Sequence, residues 1–396
     1  MKWAVGLNAE QQAAISASSH AALIAGPGTG KTRTLLAKTL QLIEDESATA
    51  GRIRLVNFTN AGVRDLKRKV RADSAYASIS QDQITTFHSL ALRSLLSVES
   101  RAIPSPLVIL DDWEELHFID RLVNAELSLG DVRKARRLRE DYNARWCQAT
   151  TDVTKWLNNE RRSFERFYRV SQEALQFLTR GELTFVWWNH LHATPGARPE
   201  ELGVTYSHLL VDEYQDLNEC EHEILRMLTK VGVTVFAVGD PNQSIYESMR
   251  HAHPEFCAAF PTRVAGGTLH ILDQSFRCPA TVLEAGAALL DHRQGIPDPR
   301  KASPGGEVRL LRFVDDNGEV SGLAQLARSQ VSNVPRRRVL VAVPTRSVAA
   351  AFAKELRVCH GITILFEATL GAAEASSSSR RGRARGEGST FPTLRR

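Results

Sequence analysis

Three glycines, a lysine and a threonine near the start of the chain have the spacing of a phosphate-binding loop. They lie between Ala25 and Thr32, after an apolar run, Ala21 to Ile24, that predicts a buried strand, and before Arg33 to Ile43, which predicts a helix. Gly28 and Gly30 can adopt backbone dihedrals closed to other residues, so successive N–H groups can point at an anion. The helix N-terminus adds its partial positive charge. The stretch therefore predicts a phosphate site.

The side chains after the glycines extend this prediction to a nucleoside triphosphate, such as ATP, with Mg²⁺. Lys31 can reach the β- and γ-phosphates, and the Thr32 hydroxyl can hold Mg²⁺. Ala25 stands where the general pattern has glycine, and an ordinary Gly-Pro turn before a helix is the alternative. The candidate loop residues are Ala25, Gly26, Pro27, Gly28, Thr29, Gly30, Lys31 and Thr32.

Two adjacent carboxylates follow another apolar run. Ser207 to Val211 predicts a buried strand, and Asp212 and Glu213 come directly after it. Asp212 would hold Mg²⁺ through its water shell, and Glu213 would orient and deprotonate the attacking water in a phosphoryl transfer. A loop with surface acids is the alternative, and it fits less well because the acids end a strand of buried character.

Further polar groups follow predicted strands or precede the loop. Gln243 could touch the γ-phosphate, Arg277 could neutralise charge developing on it, and Phe276 could cover the adenine. Upstream of the loop, the amide of Gln11 could read an adenine edge, because it offers a donor and an acceptor together. In isolation, ordinary polar loop residues explain Gln243 and Arg277 better. The strands concerned are 233–239 and 269–272.

Two polar-aromatic clusters also fall where we predict that strands end. Phe58-Thr59-Asn60 follows the strand 52–58, and Thr86-Phe87-His88 lies in the strand-and-loop segment 84–90. In an open parallel sheet, the ligand crevice lies at that edge. Short polar side chains can bond phosphates and a phenylalanine can stack on a base, as single-strand binding requires. Taken alone, a helix cap and a core phenylalanine are the favoured interpretation.

The composition limits the class of protein. The 396 residues, 43% of them apolar, suffice for two or three domains, and no apolar run is long enough to span a membrane. Five scattered cysteines suggest neither a disulfide framework nor a zinc site, which fits a reducing cytoplasm. Residues 380–396 hold six arginines and one glutamate, which accounts for the net charge of +5. The first 379 residues are therefore near neutral. The basicity of the whole chain is no evidence that its folded part binds nucleic acid.

The remaining segments divide by character. Residues 95–205 have helical periodicity and many charges, and we interpret them as a helical insertion; its basic run, Arg133 to Arg139, is a solvated face or a phosphate contact. Residues 371–396 have almost no large apolar residue, which predicts disorder. Between them a second βαβ series is predicted. Its strands are 308–313, 338–343 and 362–366, and its helices are 321–331 and 347–356.

Taken in order, these motifs resemble those of the UvrD/Rep family of superfamily 1 DNA helicases. The most specific combination is Asp-Glu-Tyr-Gln-Asp, 212–216, with Gly-Asp-Pro-Asn-Gln-Ser-Ile-Tyr, 239–246. The other matching stretches are 7–11, 25–33, 58–60, 86–89, 274–277 and 339–355. The resemblance covers roughly residues 5 to 365.

The resemblance implies an α/β fold of tandem RecA-like P-loop domains with ATP between them, the second domain incomplete. The implied divisions are 1–94 and 206–268 for the first domain, 95–205 for the insertion, 269–370 for the second domain and 371–396 for the tail. It implies ATP-driven 3′-to-5′ movement on single-stranded DNA, or on a duplex with a single-stranded tail, in replication, repair or recombination. Protein partners are not implied.

The resemblance also assigns roles residue by residue. Gln11, the loop with Arg33, and Phe276 would bind ATP, and Thr32 and Asp212 would bind Mg²⁺. The implied catalytic set is Lys31, Asp212, Glu213, Gln243 and Arg277. The implied DNA-binding set is Phe58, Thr59, Asn60, Thr86, Phe87, His88, Tyr246 and Arg250.

The sequence departs from the family pattern at two places. After Tyr246 the run Glu247 to Arg250 is one residue longer than usual and lacks the family's aromatic residue. The last two family motifs are not found, so we expect a truncated helicase that binds nucleotide, hydrolyses it weakly and unwinds little. The alternatives are a nucleotide- and DNA-binding remnant or regulator, and a P-loop ATPase acting on protein or small molecules, which the polar-aromatic clusters disfavour.

Overall fold

The computed structural model of the chain describes residues 2–17, 19–45, 48–98, 108–151, 159–290, 295–333, 340–343 and 345–360. The chain divides into a unit of residues 1–306 and a unit of residues 307–396. Each unit has hydrophobic clusters of its own. The predicted strand 362–366 and the predicted disordered tail lie outside the described residues.

A parallel six-stranded sheet organises the first unit. Its order is β3-β2-β6-β7-β1-β8, and a separate pair, β4 and β5, is also parallel. The central strands are short aliphatic runs buried on both faces, as a covered parallel sheet requires. The strands are β1 (Ala21–Ala25), β2 (Ile53–Asn57), β3 (Ile84–Thr86), β4 (Val108–Leu110), β5 (Phe177–Thr179), β6 (His208–Val211), β7 (Thr234–Gly239) and β8 (Thr268–Leu272).

Helices cover both faces of the large sheet, which confirms the predicted α/β class. One face packs against α1, α2 and α3, and the other against α4, α9, α10 and α12. No described helix combines the length and apolar character needed to cross a bilayer. The described α-helices are α1 (Ala9–Ile15), α2 (Lys31–Glu44), α3 (Asn60–Ala72), α4 (Phe87–Ser97), α5 (Asp112–Glu114), α6 (Asp120–Glu126), α7 (Val132–Asn143), α8 (Asn159–Leu175), α9 (Arg180–Ala193), α10 (Glu219–Lys230), α11 (Glu247–Arg250), α12 (Phe260–Arg263), α13 (Ala280–Ala288), α14 (Asp316–Asn333) and α15 (Arg346–His360).

The segment between α4 and β6 is mostly helical, as predicted, but it also contains the unpredicted pair β4 and β5. It has its own aromatic core, in which Tyr142 and Trp146 pack with Phe164 and Tyr168. Three residues scarcely show a strand pattern, so the pair could not be recognised before its partner was known.

The cations of the basic run 133–139 lie on two faces of α7, one buried and one exposed. Arg139 is buried and forms ion pairs with Asp120, at 2.6 Å, and with Glu115. Arg136 pairs with Glu140 one turn further on. The remaining cations of the run point outward, so most of the run is a solvated helix face.

Three predictions about strands differ from the structure. The strand predicted from residue 269 is β8, which pairs with β1, so it belongs to the sheet of the first unit rather than to a second domain. The strand predicted over 84–90 ends at Thr86, because α4 begins at Phe87. The strand predicted over 308–313 is wrong: this segment has no strand partner among the described residues, and Leu310 is fully exposed.

The described part of the second unit centres on two helices. α14 and α15 match the predicted helices 321–331 and 347–356 and extend beyond them. Ala324 and Ala327 pack with Phe352 and Leu356 between them. Residues 340–343, predicted as part of a strand, are described and are not in one.

The ion cluster of the insertion gives a testable prediction. We expect Arg139→Met to lower the free energy of unfolding by about 3–5 kcal/mol, because it leaves two buried carboxylates without their cation. Urea unfolding followed by tryptophan fluorescence, to which Trp146 in the same core contributes, measures this change. The control is Arg137→Met, an exposed residue of the same helix, with an expected change within about 0.5 kcal/mol. Equal shifts in the two variants would contradict the prediction.

Candidate functional site

The carboxyl ends of the six parallel strands share one edge of the sheet, and a predicted site segment follows almost every strand there. The two strands at one side, β3 and β2, lead into the polar-aromatic clusters, and β7, β1 and β8 lead into the predicted nucleotide groups. The acidic pair after β6 lies between the two sets. From β3 to β8, the segments begin at Phe87, Phe58, Asp212, Asp240, Gly26 and Asp273.

The glycine-rich loop after β1 has the backbone that the sequence predicts. Gly28 and Gly30 have φ of +76° and +93°, which only glycine adopts readily. The Thr29 hydroxyl donates to the Gly26 carbonyl at 2.8 Å and closes the turn. Helix α2 begins at Lys31, so its free N–H groups face the loop. The loop backbone and the start of α2 thus have the predicted geometry, and the binding of an anion there stays a prediction.

The segment after β8 packs directly on this loop. The Ser275 hydroxyl donates to the Pro27 carbonyl at 2.9 Å, and the Phe276 N–H donates to the Gly28 carbonyl at 2.9 Å. A side chain on Gly28 would lie 2.8 Å from Cβ of Arg277. Phe276 is 54% exposed and Arg277 is exposed, so both side chains are open to a ligand.

Lys31 is the cation of the loop, and the described residues do not fully neutralise its charge. Its ammonium nitrogen is buried and has no hydrogen-bond partner among the described residues. The nearest acid is Asp240 at 3.8 Å, which is too far for a hydrogen bond. Asp240 in turn accepts a hydrogen bond from the Gln243 amide at 2.6 Å. An anion that reached Lys31 would supply the partner that the protein does not.

The predicted metal and water ligands lie at the end of β6. Asp212 is 5% exposed, and its carboxylate accepts hydrogen bonds from the Asn57 amide at 3.0 Å and from the Glu213 N–H at 3.2 Å. Burial and the neighbouring Glu213 carboxylate raise the pKa of Asp212 to about 7. Burial and Glu213 likewise raise the pKa of Asp216 to about 7. Excess negative charge is therefore concentrated here.

These acids suit a divalent cation shared with phosphates. A cation beside Asp212 would offset the burial and the Glu213 repulsion that raise its pKa, and the Thr32 hydroxyl at the start of α2 offers a second oxygen. No group of three His, Cys, Asp or Glu among the described residues is placed to enclose a metal by itself. Mg²⁺ commonly takes one or two protein oxygens and completes its shell with phosphates and water. The residues present fit Mg²⁺ on those terms.

Sequence reasoning missed two residues that hold the acids in place. The Asn57 side-chain amide donates to Asp212, as above, and its Oδ1 accepts the Thr59 N–H at 2.9 Å. Gln215 donates to Glu213 at 3.0 Å and accepts from the Asp240 N–H at 2.9 Å. Asn57 ends β2 and Gln215 lies in the turn after β6, and each has a partner that follows a different strand, Asp212 and Asp240 respectively. The sequence alone carried no signal for these pairings.

Four of the predicted DNA-binding residues form one cluster at the other side of the edge. The Phe58 and Tyr246 ring centroids lie 5.1 Å apart, and the Arg250 guanidinium lies over Phe58 at 4.0 Å. Burial, with the charges of Arg250 and Arg180, lowers the pKa of His88 to about 3, so its ring is neutral at pH 7. Phe58 is only 8% exposed, so the half-buried Tyr246 and Arg250 form the accessible surface.

The other members of that set have different positions. Thr59 and Thr86 cap α3 and α4 by accepting the N–H groups of Gly62 and Ser89, and Asn60 is the exposed first residue of α3. The prediction for Phe87 is wrong. Its side chain is fully buried and packs on Trp187, because α4 turns this residue toward the core.

Two nucleotide candidates are engaged by the protein itself. Gln11 donates to the Thr29 carbonyl at 3.1 Å and accepts the Asn8 N–H at 3.0 Å, so it braces the loop. One amide hydrogen and one lone pair remain for an adenine edge. Arg33 donates to the Val5 carbonyl at 3.0 Å. A nucleotide role for either residue stays a prediction.

A parallel sheet with this loop after β1 and an acidic pair after β6 defines a P-loop nucleotide-binding protein. Comparison of the sequence narrows the class. Residues 7–265, more than half of the chain, match the UvrD/REP helicase N-terminal domain. The chain belongs to the UvrD/REP helicase family.

Individual relatives agree with this assignment. DNA helicase II of Escherichia coli (strain K12) is 28% identical over 301 residues, which are 73% of this chain and 41% of that protein. DNA helicase II of Rickettsia typhi is 24% identical over 367 residues, 87% of this chain and 55% of that protein. The ATP-dependent DNA helicase PcrA of Leuconostoc citreum is 26% identical over 299 residues, which are 72% of this chain and 39% of that protein. The chain spans about half, or less, of the length of these relatives.

The geometry at Lys31 predicts a direct effect on nucleotide affinity. We expect Lys31→Ala to weaken ATP binding on the order of 10- to 100-fold, because a buried charge-assisted contact to phosphate is lost. Titration with a fluorescent ATP analogue measures the dissociation constant. Lys230→Ala, at the exposed end of α10, is the control and should bind as the unaltered chain does. Equal affinities for all three proteins would rule out Lys31 as a phosphate ligand.

Proposed function

We propose that this chain binds and hydrolyses ATP with Mg²⁺ and couples this cycle to 3′-to-5′ movement on single-stranded DNA. The observation that supports the proposal is the shared sheet edge. Groups suited to a triphosphate lie after β7, β1 and β8, groups suited to DNA lie after β2 and β3, and the acids after β6 lie between them. The family's relatives are named as DNA helicases.

In the nucleotide half, each residue has a task that its surroundings favour. The loop N–H groups and Lys31 bind the β- and γ-phosphates, and Gln243 and Arg277 contact the γ-phosphate from the ends of β7 and β8. Thr32 and Asp212 would hold Mg²⁺, which when bound neutralises phosphate charge. Glu213, half-buried beside Asp212, orients the attacking water and accepts its proton. Phe276 stacks on the adenine.

In the DNA half, Tyr246 and Arg250 provide the contact surface. An aromatic ring and a guanidinium both stack on bases whatever their sequence, and the guanidinium also meets phosphate. Phe58 supports both groups from below, since it contacts Tyr246 and lies under Arg250. The neutral His88 can donate or accept one hydrogen bond without adding charge. Such a surface suits a strand that must slide.

The two halves are joined by short hydrogen-bonded links. Asn57 contacts Asp212 on one side and the Thr59 N–H on the other, so it connects the end of β2 to the metal-binding acid. Through these links, a change at the γ-phosphate can alter the DNA-contacting surface, and DNA binding can alter the residues around the γ-phosphate. If the two sites are coupled in this way, the coupling is reciprocal, because each ligand changes the affinity for the other by the same factor.

The proposal predicts DNA-stimulated ATP turnover. We expect single-stranded DNA to raise the turnover of the purified chain at least about tenfold, and to do so less at higher salt, because phosphate contacts release counterions. Lys31→Ala should abolish the turnover. A salt-insensitive, DNA-independent turnover would instead indicate an ATPase acting on another substrate. Lys31-dependent nucleotide binding without turnover would contradict the motor and favour a nucleotide- and DNA-binding regulator.

The direction of movement is tested separately. A 3′-to-5′ motor displaces streptavidin from a biotin at the 5′ end of a single strand faster than from the 3′ end, in an ATP-dependent manner. Equal displacement from both ends, or faster displacement from the 3′ end, would contradict the proposed direction.

The DNA surface predicts a contrast between two aromatic residues. We expect Tyr246→Leu to weaken single-stranded DNA binding about tenfold, since stacking on one base contributes about 1–3 kcal/mol. Phe87→Leu should leave DNA affinity unchanged and lower the free energy of unfolding by about 1–3 kcal/mol, because Phe87 lies in the core. Fluorescence anisotropy with a labelled oligonucleotide and urea unfolding measure the two effects. The reverse pattern would show that the DNA contacts are misassigned.

A further inference from the structure

The buried side chain of Gln215 connects the water-activating acid to the γ-phosphate groups. Gln215 is 1% exposed and lies in the short turn Tyr214–Asp216 after β6. Its amide nitrogen donates to Oε2 of Glu213 at 3.0 Å, and its amide oxygen accepts the N–H of Asp240 at 2.9 Å. Both ends of one amide are therefore used, each on a different strand end.

Asp240, the second partner of the Gln215 amide, contacts the residues that the proposed function assigns to the triphosphate. The Asp240 carboxylate accepts the Gln243 amide at 2.6 Å and lies 3.8 Å from the Lys31 ammonium. A covalent and hydrogen-bonded path thus leads from Gln243, through Asp240 and Gln215, to Glu213, and the Lys31 ammonium lies within ion-pair distance of the Asp240 carboxylate on this path. The end of β7 is seated closely on this path, because a Cβ at Gly239 would lie 2.9 Å from the Gln215 amide oxygen.

The backbone conformation and the neighbouring charges of Glu213 together explain why its side chain needs a hydrogen-bond donor to hold it. Glu213 has φ of +55°, in the left-handed region that residues with a side chain adopt rarely. Its half-buried carboxylate is next to Asp212 and near Asp216, so repulsion would turn it away from the acids. The neutral amide of Gln215 donates to it without adding a further charge.

We propose that Gln215 is a positioning residue that fixes the Glu213 carboxylate against the attacking water and ties its orientation to Asp240, and hence to Lys31 and Gln243. The inference rests on the proposed function, because Glu213 has its water-activating role there. It adds that the acid is held in its productive orientation by the same side chain that contacts the end of β7.

Two variants separate positioning from packing. Gln215→Met keeps the approximate volume and removes the hydrogen bonds to Glu213 and the Asp240 N–H, together with the longer bond to Asp216 at 3.5 Å. Gln215→Glu keeps an acceptor for the Asp240 N–H but replaces the donor to Glu213 with a carboxylate. The control is Gln83→Met: Gln83 is also a buried glutamine, 2% exposed, and donates to the Ala50 carbonyl just before β3, away from the site.

The first measurement is DNA-stimulated ATP turnover of the full chain. We expect kcat to fall about 10- to 100-fold in both Gln215 variants, since small misplacement of a catalytic group has costs of this size, with the KM for ATP within about threefold of the unaltered value. Gln83→Met should keep kcat and lower only the melting temperature. If the unaltered chain turns over and Gln215→Met and Gln215→Glu keep its kcat, the positioning role is overturned while the proposed function stands.

The second measurement does not need turnover. It is the ratio of the affinities for ADP with aluminium fluoride and Mg²⁺, which mimics the transition state, and for ADP alone. We expect both Gln215 variants to lower this ratio at least about fivefold without changing the affinity for ADP, and Gln83→Met to keep it. If the unaltered chain has no turnover, the proposed function fails, and this ratio decides on Gln215 alone. An unchanged ratio in Gln215→Met, or a ratio of one in the unaltered chain, would overturn the inference.

Discussion

Parallel hydrogen bonding between β6, β7 and β1 sets the positions of every group in the site. The register pairs Val211 with Ala237, and Ile24 with Gly239, so these strands end within a residue or two of one another. Their next residues, Asp212, Asp240 and Gly26, are consequently neighbours although they are far apart in sequence. A one-residue slip would turn the Asp212 and Asp240 side chains to the other face of the sheet. The buried aliphatic side chains on both faces prevent such a slip, so the hydrophobic core determines the geometry of the polar edge.

The edge has an electrostatic imbalance that ligands would correct. Burial raises the pKa of Asp212, Asp216 and Asp240, and the charge of Lys31 opposes this shift at all three acids. Lys31 lies 3.8 Å from Asp240 and has no hydrogen bond to any described residue. A triphosphate would give Lys31 its partner, and Mg²⁺ would neutralise Asp212. The protein maintains this arrangement through neutral amides, which fix the acids without adding charge. Structural stability and ligand binding are thus connected at the same few residues.

The sequence was informative where a pattern is local. The loop, the strands before Asp212 and Asp240 and the helix after Lys31 were predictable because short apolar runs and glycine spacing specify them directly. Partners distant in sequence were not predictable. β8 belongs to the first sheet rather than to a second domain, and the sequence assigns Gln215 no role because its partner Asp240 follows another strand. Phe87 was misassigned since the start of α4, and hence the direction of its side chain, depended on tertiary packing.

The central claim is that one network couples the nucleotide to the DNA surface. The most direct test measures the affinity of the chain for a single-stranded oligonucleotide without nucleotide, with ADP, and with a non-hydrolysable ATP analogue, and then the affinity for each nucleotide with and without the oligonucleotide. The account predicts that the γ-phosphate changes DNA affinity at least about fivefold, and that DNA changes the affinity for the analogue by the same factor, as linkage requires. One DNA affinity in all three nucleotide states would contradict it.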